Sequence, residues 1–212
     1  LLLPLYAERK STTPRHTEHL MERFGLLIII VLGEILLSSV EALRNSVSGG
    51  FNADHLVVAI CGILITFSMW WYYFYEPDQL EQFTFKRAFE WGYGHVIIFG
   101  SAAAVGAGLG LLLDIIEQQQ GELISLVSDK GQFLAGTLTV SISIALYITG
   151  LWFVRDRHQC QTGASVFLLI FALGIALAAF LPYALITITI LMVFCVVFRI
   201  SQIDRAKSNC ED

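Results

Sequence analysis

The stretch FGLLIIIVLGEILLSSV, residues Phe24–Val40, decides how this chain folds. With its flanks it is long enough to cross a bilayer, whose hydrocarbon core is about 30 Å thick. Ten residues of helix rise about 15 Å, so Glu34 falls near the middle of that core. A carboxylate there costs at least about 2.5 kcal/mol, and such residues usually face a bundle interior or a water-filled cavity. We therefore expect Glu34 to be functional and to face other helices.

The composition of the whole chain also indicates a protein that crosses a membrane. Of its 212 residues 56% are hydrophobic and 15% are charged, and the mean hydropathy is +0.68. Water-soluble domains carry about 25% charged residues. The composition therefore indicates an integral membrane protein with the lipid bilayer as its main partner. No segment resembles a nucleic-acid-binding patch.

Six apolar segments are long enough to be membrane spans. They cover residues 19–43, 54–75, 90–113, 133–154, 164–181 and 183–200. Each must be a helix, because the bilayer core has no water to satisfy exposed backbone groups. We predict an all-α fold, a polytopic transmembrane helix bundle of about six spans at residues 19–200. Residues 1–18 and 201–212 are predicted as cytoplasmic segments, residues 114–132 as an acidic outer loop, and Pro182 as the centre of a tight hairpin.

Basic residues in the loops predict the orientation of the spans. Ten of the 13 Lys and Arg residues lie on the side of the two termini and two, Arg44 and Lys130, on the other. This bias predicts that both ends of the sequence are cytoplasmic. The aromatic clusters at Trp70–Tyr75, Trp91–Tyr93 and Trp152–Phe153 fall at the same predicted interface, where we expect them to form an aromatic belt.

The sequence begins at Leu1 rather than Met, and Leu1–Pro4 resembles the tail of a further span. We therefore expect the sequence to be part of a longer protein, with the missing N-terminal half as a partner of this part. Homo-oligomerisation stays open.

One face of the first span is polar. At about 100° per residue, an arc of about 60° holds His16, His19, Arg23, Glu34 and Glu41. Arg23 and Glu34 are about 16 Å apart along the axis and cannot pair. Glu34 therefore needs a partner from another helix, or it is protonated. Our candidate polar or proton site consists of Glu34, His19, Arg23 and Glu22 of the first span and His95 of the third span.

His95 is the most attractive partner for Glu34, although we expect it to lie nearer the cytoplasmic side than Glu34. It is either a structural hydrogen-bonding residue or part of a proton relay or metal site. The spacing His16-x-x-His19-x-x-Glu22 spans too wide an arc for three ligands, so we predict no metal and no cofactor. The sequence contains no catalytic triad, nucleophile elbow or phosphate-binding glycine loop, and thus predicts no catalytic residues.

Small residues in the third span predict close helix packing. Ala102, Gly106 and Gly110 share one face, and Gly100, Ala104 and Gly108 share an adjacent face. Small residues let membrane helices approach closely, so we predict a central helix that is contacted on two sides. In the fourth span Thr139, Ser143 and Tyr147 recur every fourth residue, either as interhelical hydrogen-bond donors or as the lining of a polar pathway.

The segment HLMERFGLLIIIVLGE, residues His19–Glu34, resembles the signature of the low temperature requirement A (LtrA) family of membrane proteins. The matching elements are H-x-x-E-R-F-G-L and the later L-G-E, and WWYYF at Trp70–Phe74 and GYGH before the glycine-rich span are also similar to that family. The resemblance implies a multi-pass protein of the bacterial inner membrane. Family members carry an E-L-F-F-D-type motif further upstream, which this sequence lacks. The family name records a phenotype, so the resemblance implies no substrate.

Three hypotheses follow for the function. The first is a proton-linked transporter or channel-like bundle, in which Glu34 is the protonatable site and His19, Arg23 and His95 form a polar cluster on the cytoplasmic side. The second is a non-transporting sensor or scaffold in which the buried polar residues are structural. The third is an intramembrane enzyme or cofactor binder that uses the histidines.

Overall fold

The computed structural model describes residues 17–48, 53–75, 85–119, 129–155 and 162–211, and these ranges contain six helices and no strand. The helices are α1 (Thr17–Ser48), α2 (Ala53–Phe74), α3 (Phe85–Gln119), α4 (Asp129–Val154), α5 (Thr162–Ala178) and α6 (Ala184–Glu211). Five of them are long and apolar enough to cross a membrane, and α5 is a shorter apolar helix. The prediction of an all-α membrane bundle is confirmed.

Four helices, α1, α3, α4 and α6, extend further than hydropathy predicts, and α6 continues as far as Glu211. Helix α3 continues to Gln119 and α4 already begins at Asp129, so both enter the predicted acidic loop at residues 114–132. Asp114 and Glu117 are exposed on the last turns of α3. Asn45 of α1 donates a hydrogen bond to the Glu117 carboxylate at 2.6 Å. A helix continues into water where its residues are good helix formers, and hydropathy does not detect this.

Helix α3 lies at the centre of the bundle and packs against α1 on one side and α4 on the other. Close approach of a neighbouring helix explains Gly108, while a side chain at Gly106 would make ordinary van der Waals contact. A Cβ atom added at Gly106 would lie 3.6 Å from the backbone nitrogen of Ile35 in α1, and one at Gly108 would lie 3.1 Å from that of Val140 in α4. The predicted two-sided contact of this helix is thus present. Helix α2 packs on α1 and α6, and α5 packs on α4 and α6.

The hydroxyl groups of α4 mostly serve their own helix. Thr137, Thr139 and Thr149 each donate to the carbonyl four residues earlier, at 2.7–3.1 Å. Tyr147 behaves differently, because its buried hydroxyl donates across to the Met69 carbonyl of α2 at 2.9 Å. Within the described residues, the polar pattern of α4 therefore links α4 to α2 at Tyr147.

The aromatic clusters divide between the surface and the core. Trp70, Trp71 and Phe74 are exposed at the end of α2, as a belt requires. Trp91 is buried, however, and its ring lies 4.8 Å from the Phe24 ring. For Trp91 the belt interpretation was wrong, because this ring joins α3 to α1 inside the bundle. The predicted hairpin at Pro182 is formed by a turn at residues 179–183, where Tyr183 has a φ of 59°.

Candidate functional site

The side of α1 that carries Glu34 is set by the packing of the opposite side. The buried residues of α1 recur at alternate spacings of four and three and form one seam against α2 and α3: Ile28, Leu32, Ile35, Ser39 and Ala42. At about 100° per residue, Glu34 lies roughly 120° around the helix from the centre of this seam. Its side chain is exposed on the outer surface of the described bundle. The expected contact of Glu34 with another helix is therefore not made by α2–α6.

Glu34 lies deep in the span of α1. The span runs from His19 to Asn45, which places Glu34 15 residues after its start and 11 before its end. Eleven residues correspond to about 16 Å of helix, roughly half of a hydrocarbon core. Within the described residues the Glu34 carboxylate has no hydrogen bond or ion pair, and the Ser38 hydroxyl contacts only the Glu34 main-chain carbonyl, at 3.3 Å. A carboxyl group at lipid depth therefore faces away from the bundle.

The other α1 candidates lie on the outer face as well. His19 and Glu22 form a loose pair, with Nδ1 3.7 Å from Oε2, and both side chains are mostly exposed. Arg23 is also exposed, while His16 lies outside the described residues. The part of the chain that the structure describes holds no group of three or more His, Cys, Asp or Glu side chains arranged to bind a metal.

His95 lies inside the bundle in an aromatic cage. It is 1% exposed, and the rings around it are Phe24, Tyr73, Trp91 and Phe99, at centroid distances of 5.0, 5.9, 4.1 and 5.6 Å. Its Nδ1 lies 2.8 Å from the Trp91 carbonyl, and because a carbonyl only accepts, Nδ1 carries the proton. This arrangement fixes the ring, and His95 is buried on the inner side of α1 while Glu34 is exposed on the outer side.

The three helix-packing candidates of α3 have different surroundings. Ala102 is buried, and Gly106 approaches α1 closely, whereas a Cβ atom at Gly110 would meet nothing within 4 Å. The described residues thus leave room for a partner helix at Gly110.

A second polar site was missed by the sequence analysis, which used Arg155 and Arg199 only to orient the spans. Arg155 is 6% exposed and Arg199 is 4% exposed, and both line one small cavity between the ends of α2 and α4 and residues 196–203 of α6. Arg155 donates to the Tyr72 carbonyl at 3.3 Å and its guanidinium lies 5.4 Å from the Tyr72 ring centroid. In the sequence, the one indication of this buried site is that Arg199 directly follows an apolar run, in the segment VVFRI.

A third polar residue not selected from the sequence is His55, which is 3% exposed near the start of α2. Neither ring nitrogen has a hydrogen-bond partner among the described residues. Residues 49–52 and 120–128 lie outside the described part of the chain.

Comparison with known proteins assigns the chain to one family. The family described as bacterial low temperature requirement A protein (LtrA) matches residues 1–199, nearly the whole chain. No curated protein and no solved structure matches it. The match extends the resemblance from the first three spans to all six, and the helices described above provide the membrane spans that it implies. This chain belongs to the LtrA family and is a multi-pass integral membrane protein.

Proposed function

We propose that this protein is a membrane assembly component whose outer α1 surface binds a further transmembrane helix at Glu34. One observation carries the proposal: a carboxyl group at mid-span depth is exposed on the outside of the described bundle. This is the scaffold hypothesis with one change, since the polar residue acts between this bundle and a partner and not within the bundle.

The energetics favour a covered Glu34. Leaving the carboxyl group against acyl chains costs at least about 2.5 kcal/mol. When a partner helix covers the carboxyl group instead, a hydrogen bond between the two helices stabilises their contact by about 0.6–2 kcal/mol. Gly33 supports a close approach, because a Cβ atom there would meet nothing within 4 Å. The exposed side chains of Ile30 and Leu37, on the same surface, supply apolar contact area on either side of Glu34.

The charges on this surface indicate what kind of helix binds. Two copies of α1 related by a twofold axis along the membrane normal would bring Glu34 opposite Glu34, with Arg23 and Glu41 likewise opposite their equivalents. Arg23 stays charged in proteins, and like charges at equal depth repel each other. The partner is therefore a helix of different sequence that presents a hydrogen-bond donor, such as an amide, hydroxyl or basic side chain, at the depth of Glu34.

Site-specific photo-crosslinking tests this assignment. A benzophenone amino acid at Ile30 in the full-length protein, in its native membrane, is expected to form an adduct that mass spectrometry maps to a donor-bearing transmembrane helix. The yield should fall strongly with Glu34→Leu and largely survive Glu34→Gln, because glutamine still forms a hydrogen bond. The matched control is the same probe at Leu173 of α5, which is 62% exposed and should give no protein adduct.

Two outcomes would contradict the proposal. An adduct between two copies of α1 would indicate a homodimer. Adducts with lipid alone, or a yield that does not depend on Glu34, would leave Glu34 facing the bilayer.

Proton-linked transport is the second candidate, and the distribution of ionisable groups favours it. Arg23, Glu34 and Glu41 are exposed on one side of α1 at three depths, so a helix that covers them would enclose a line of ionisable groups across the membrane. In proteoliposomes under a potassium-diffusion potential, a pH-sensitive dye should report proton uptake that Glu34→Gln abolishes. Asp54→Asn, a charge removal at an exposed position of α2, is the control and should leave uptake unchanged. Uptake that persists in Glu34→Gln would exclude this candidate.

A further inference from the structure

The buried arginine pair lines a cavity at one end of the bundle. Besides Arg155 and Arg199, the lining includes Trp71, Tyr72 and Tyr75, and the volume is about 10 Å³. A volume of this size holds about one water molecule, or one oxygen atom of a larger group. Trp71 is 46% exposed, so the cavity reaches the molecular surface. It can therefore admit one oxygen of a ligand whose remaining atoms stay outside.

The charge around the cavity favours an anionic oxygen. A guanidinium group stays charged in proteins and presents five N–H donors. The acceptors of Arg155 at Tyr72 and Tyr73 are neutral main-chain carbonyls, at 3.3 and 3.5 Å, so they contribute no negative charge. Asp204, which is exposed and accepts a hydrogen bond from the Tyr75 hydroxyl at 2.7 Å, is an acidic group beside the cavity. The two arginines thus place two positive charges at the cavity, and a positive charge favours an anionic oxygen.

The position of the cavity favours a lipid as the source of that oxygen. The exposed rings of Trp70, Trp71 and Phe74 surround the end of α2 next to the cavity, and exposed Trp residues mark the level of lipid headgroups. The excess of Lys and Arg predicts this end to be cytoplasmic. Basic pockets between membrane helices on that side bind anionic headgroups.

We propose that the Arg155–Arg199 cavity binds a phosphate oxygen of an anionic phospholipid. Arg199 and Arg155 hold the phosphate by charge-assisted hydrogen bonds, while the headgroup rests against Trp71 and the acyl chains stay in the bilayer. The lipid bridges the ends of α2 and α4 and residues 196–203 of α6. This inference does not depend on the role proposed for Glu34, because the two sites share no residue.

The test uses full-length protein in nanodiscs of phosphatidylcholine alone or with added phosphatidylglycerol. We expect phosphatidylglycerol to raise Tm, and native mass spectrometry to show a retained phosphatidylglycerol molecule. Arg199→Gln should remove more than half of the rise in Tm. Arg87→Gln removes the same charge at the same end of the bundle without lining the cavity, and should keep the rise. Inorganic phosphate added to phosphatidylcholine nanodiscs should give no rise.

A second variant keeps the test decisive if Arg199→Gln does not fold. Ile203→Phe retains both arginines and fills the cavity, which Ile203 also lines, and it should likewise lose the response to phosphatidylglycerol. An equal response in the wild type and all variants would overturn the proposal, as would an absence of response in the wild type. A response to inorganic phosphate that matches the response to phosphatidylglycerol would assign the cavity to free phosphate and overturn the lipid assignment.

Discussion

Replacement of Arg155 by methionine is expected to lower the free energy of unfolding by about 3 kcal/mol, since hydrogen bonds from charged groups contribute roughly 1.5–3 kcal/mol each. The last four carbonyls of a helix have no partner within the helix. Arg155 supplies donors to two of those in α2, with both terminal nitrogens 3.3 Å from the Tyr72 carbonyl. Its positive charge also lies at the negative end of the α2 dipole.

Unfolding of the purified protein, followed by helical signal against denaturant, measures this loss. Arg155→Lys keeps the charge but not the planar fork, and we expect it to lose less than Arg155→Met. Arg44→Met is the control at an exposed position of α1, where substitutions usually change stability by less than about 0.5 kcal/mol. Equal losses in Arg155→Met and Arg44→Met would show that Arg155 does not stabilise the end of α2.

The second large effect is expected at Gly108, where alanine should destabilise the protein by about 1–3 kcal/mol through overpacking. The added Cβ atom would lie 2.7 Å from Val140 Cγ2 and 3.1 Å from the Val140 nitrogen. The valine side chain can turn, but the backbone of α4 cannot move without separating the two helices.

Gly110→Ala is the matched control for Gly108→Ala, because the two positions are two residues apart in the same helix turn. Space around Gly110 is open, and alanine favours helix over glycine by about 0.8–1.0 kcal/mol. The two substitutions should therefore shift Tm in opposite directions. Shifts of the same sign and size would contradict the close contact of α3 with α4.

The helices could be predicted from the sequence because a long apolar segment that crosses a bilayer must form a helix. The central position of α3 was also predictable, since its small residues occupy two faces and membrane helices approach through small residues. The side to which Glu34 points was not predictable. Both the packed and the outer faces of α1 are aliphatic, as Ile28 and Ile30 show, because lipid and protein interior favour the same side chains.

The Arg155–Arg199 site could not be found from the sequence for a different reason. The two arginines are distant in the chain and meet only because the end of α4 lies beside the part of α6 that holds Arg199, next to the end of α2. In a sequence, arginines at the ends of spans look like ordinary orientation signals. The burial of Trp91 was not predictable for a similar reason. Residues that suit the membrane interface can also point into the bundle, as the Trp91 ring does towards Phe24 and His95.

A partner helix over the Glu34 surface of α1 would exclude lipid from that surface, and oxygen accessibility measured by electron paramagnetic resonance detects this exclusion. A spin label is attached after Leu37→Cys or Leu173→Cys in the full-length protein in its native membrane, with exposed native cysteines replaced. Leu37 is 61% exposed and Leu173 is 62% exposed in the described bundle. We predict much lower oxygen accessibility at position 37 than at position 173, because a helix excludes lipid there. Equal, high accessibility at the two positions would contradict the presence of this partner helix.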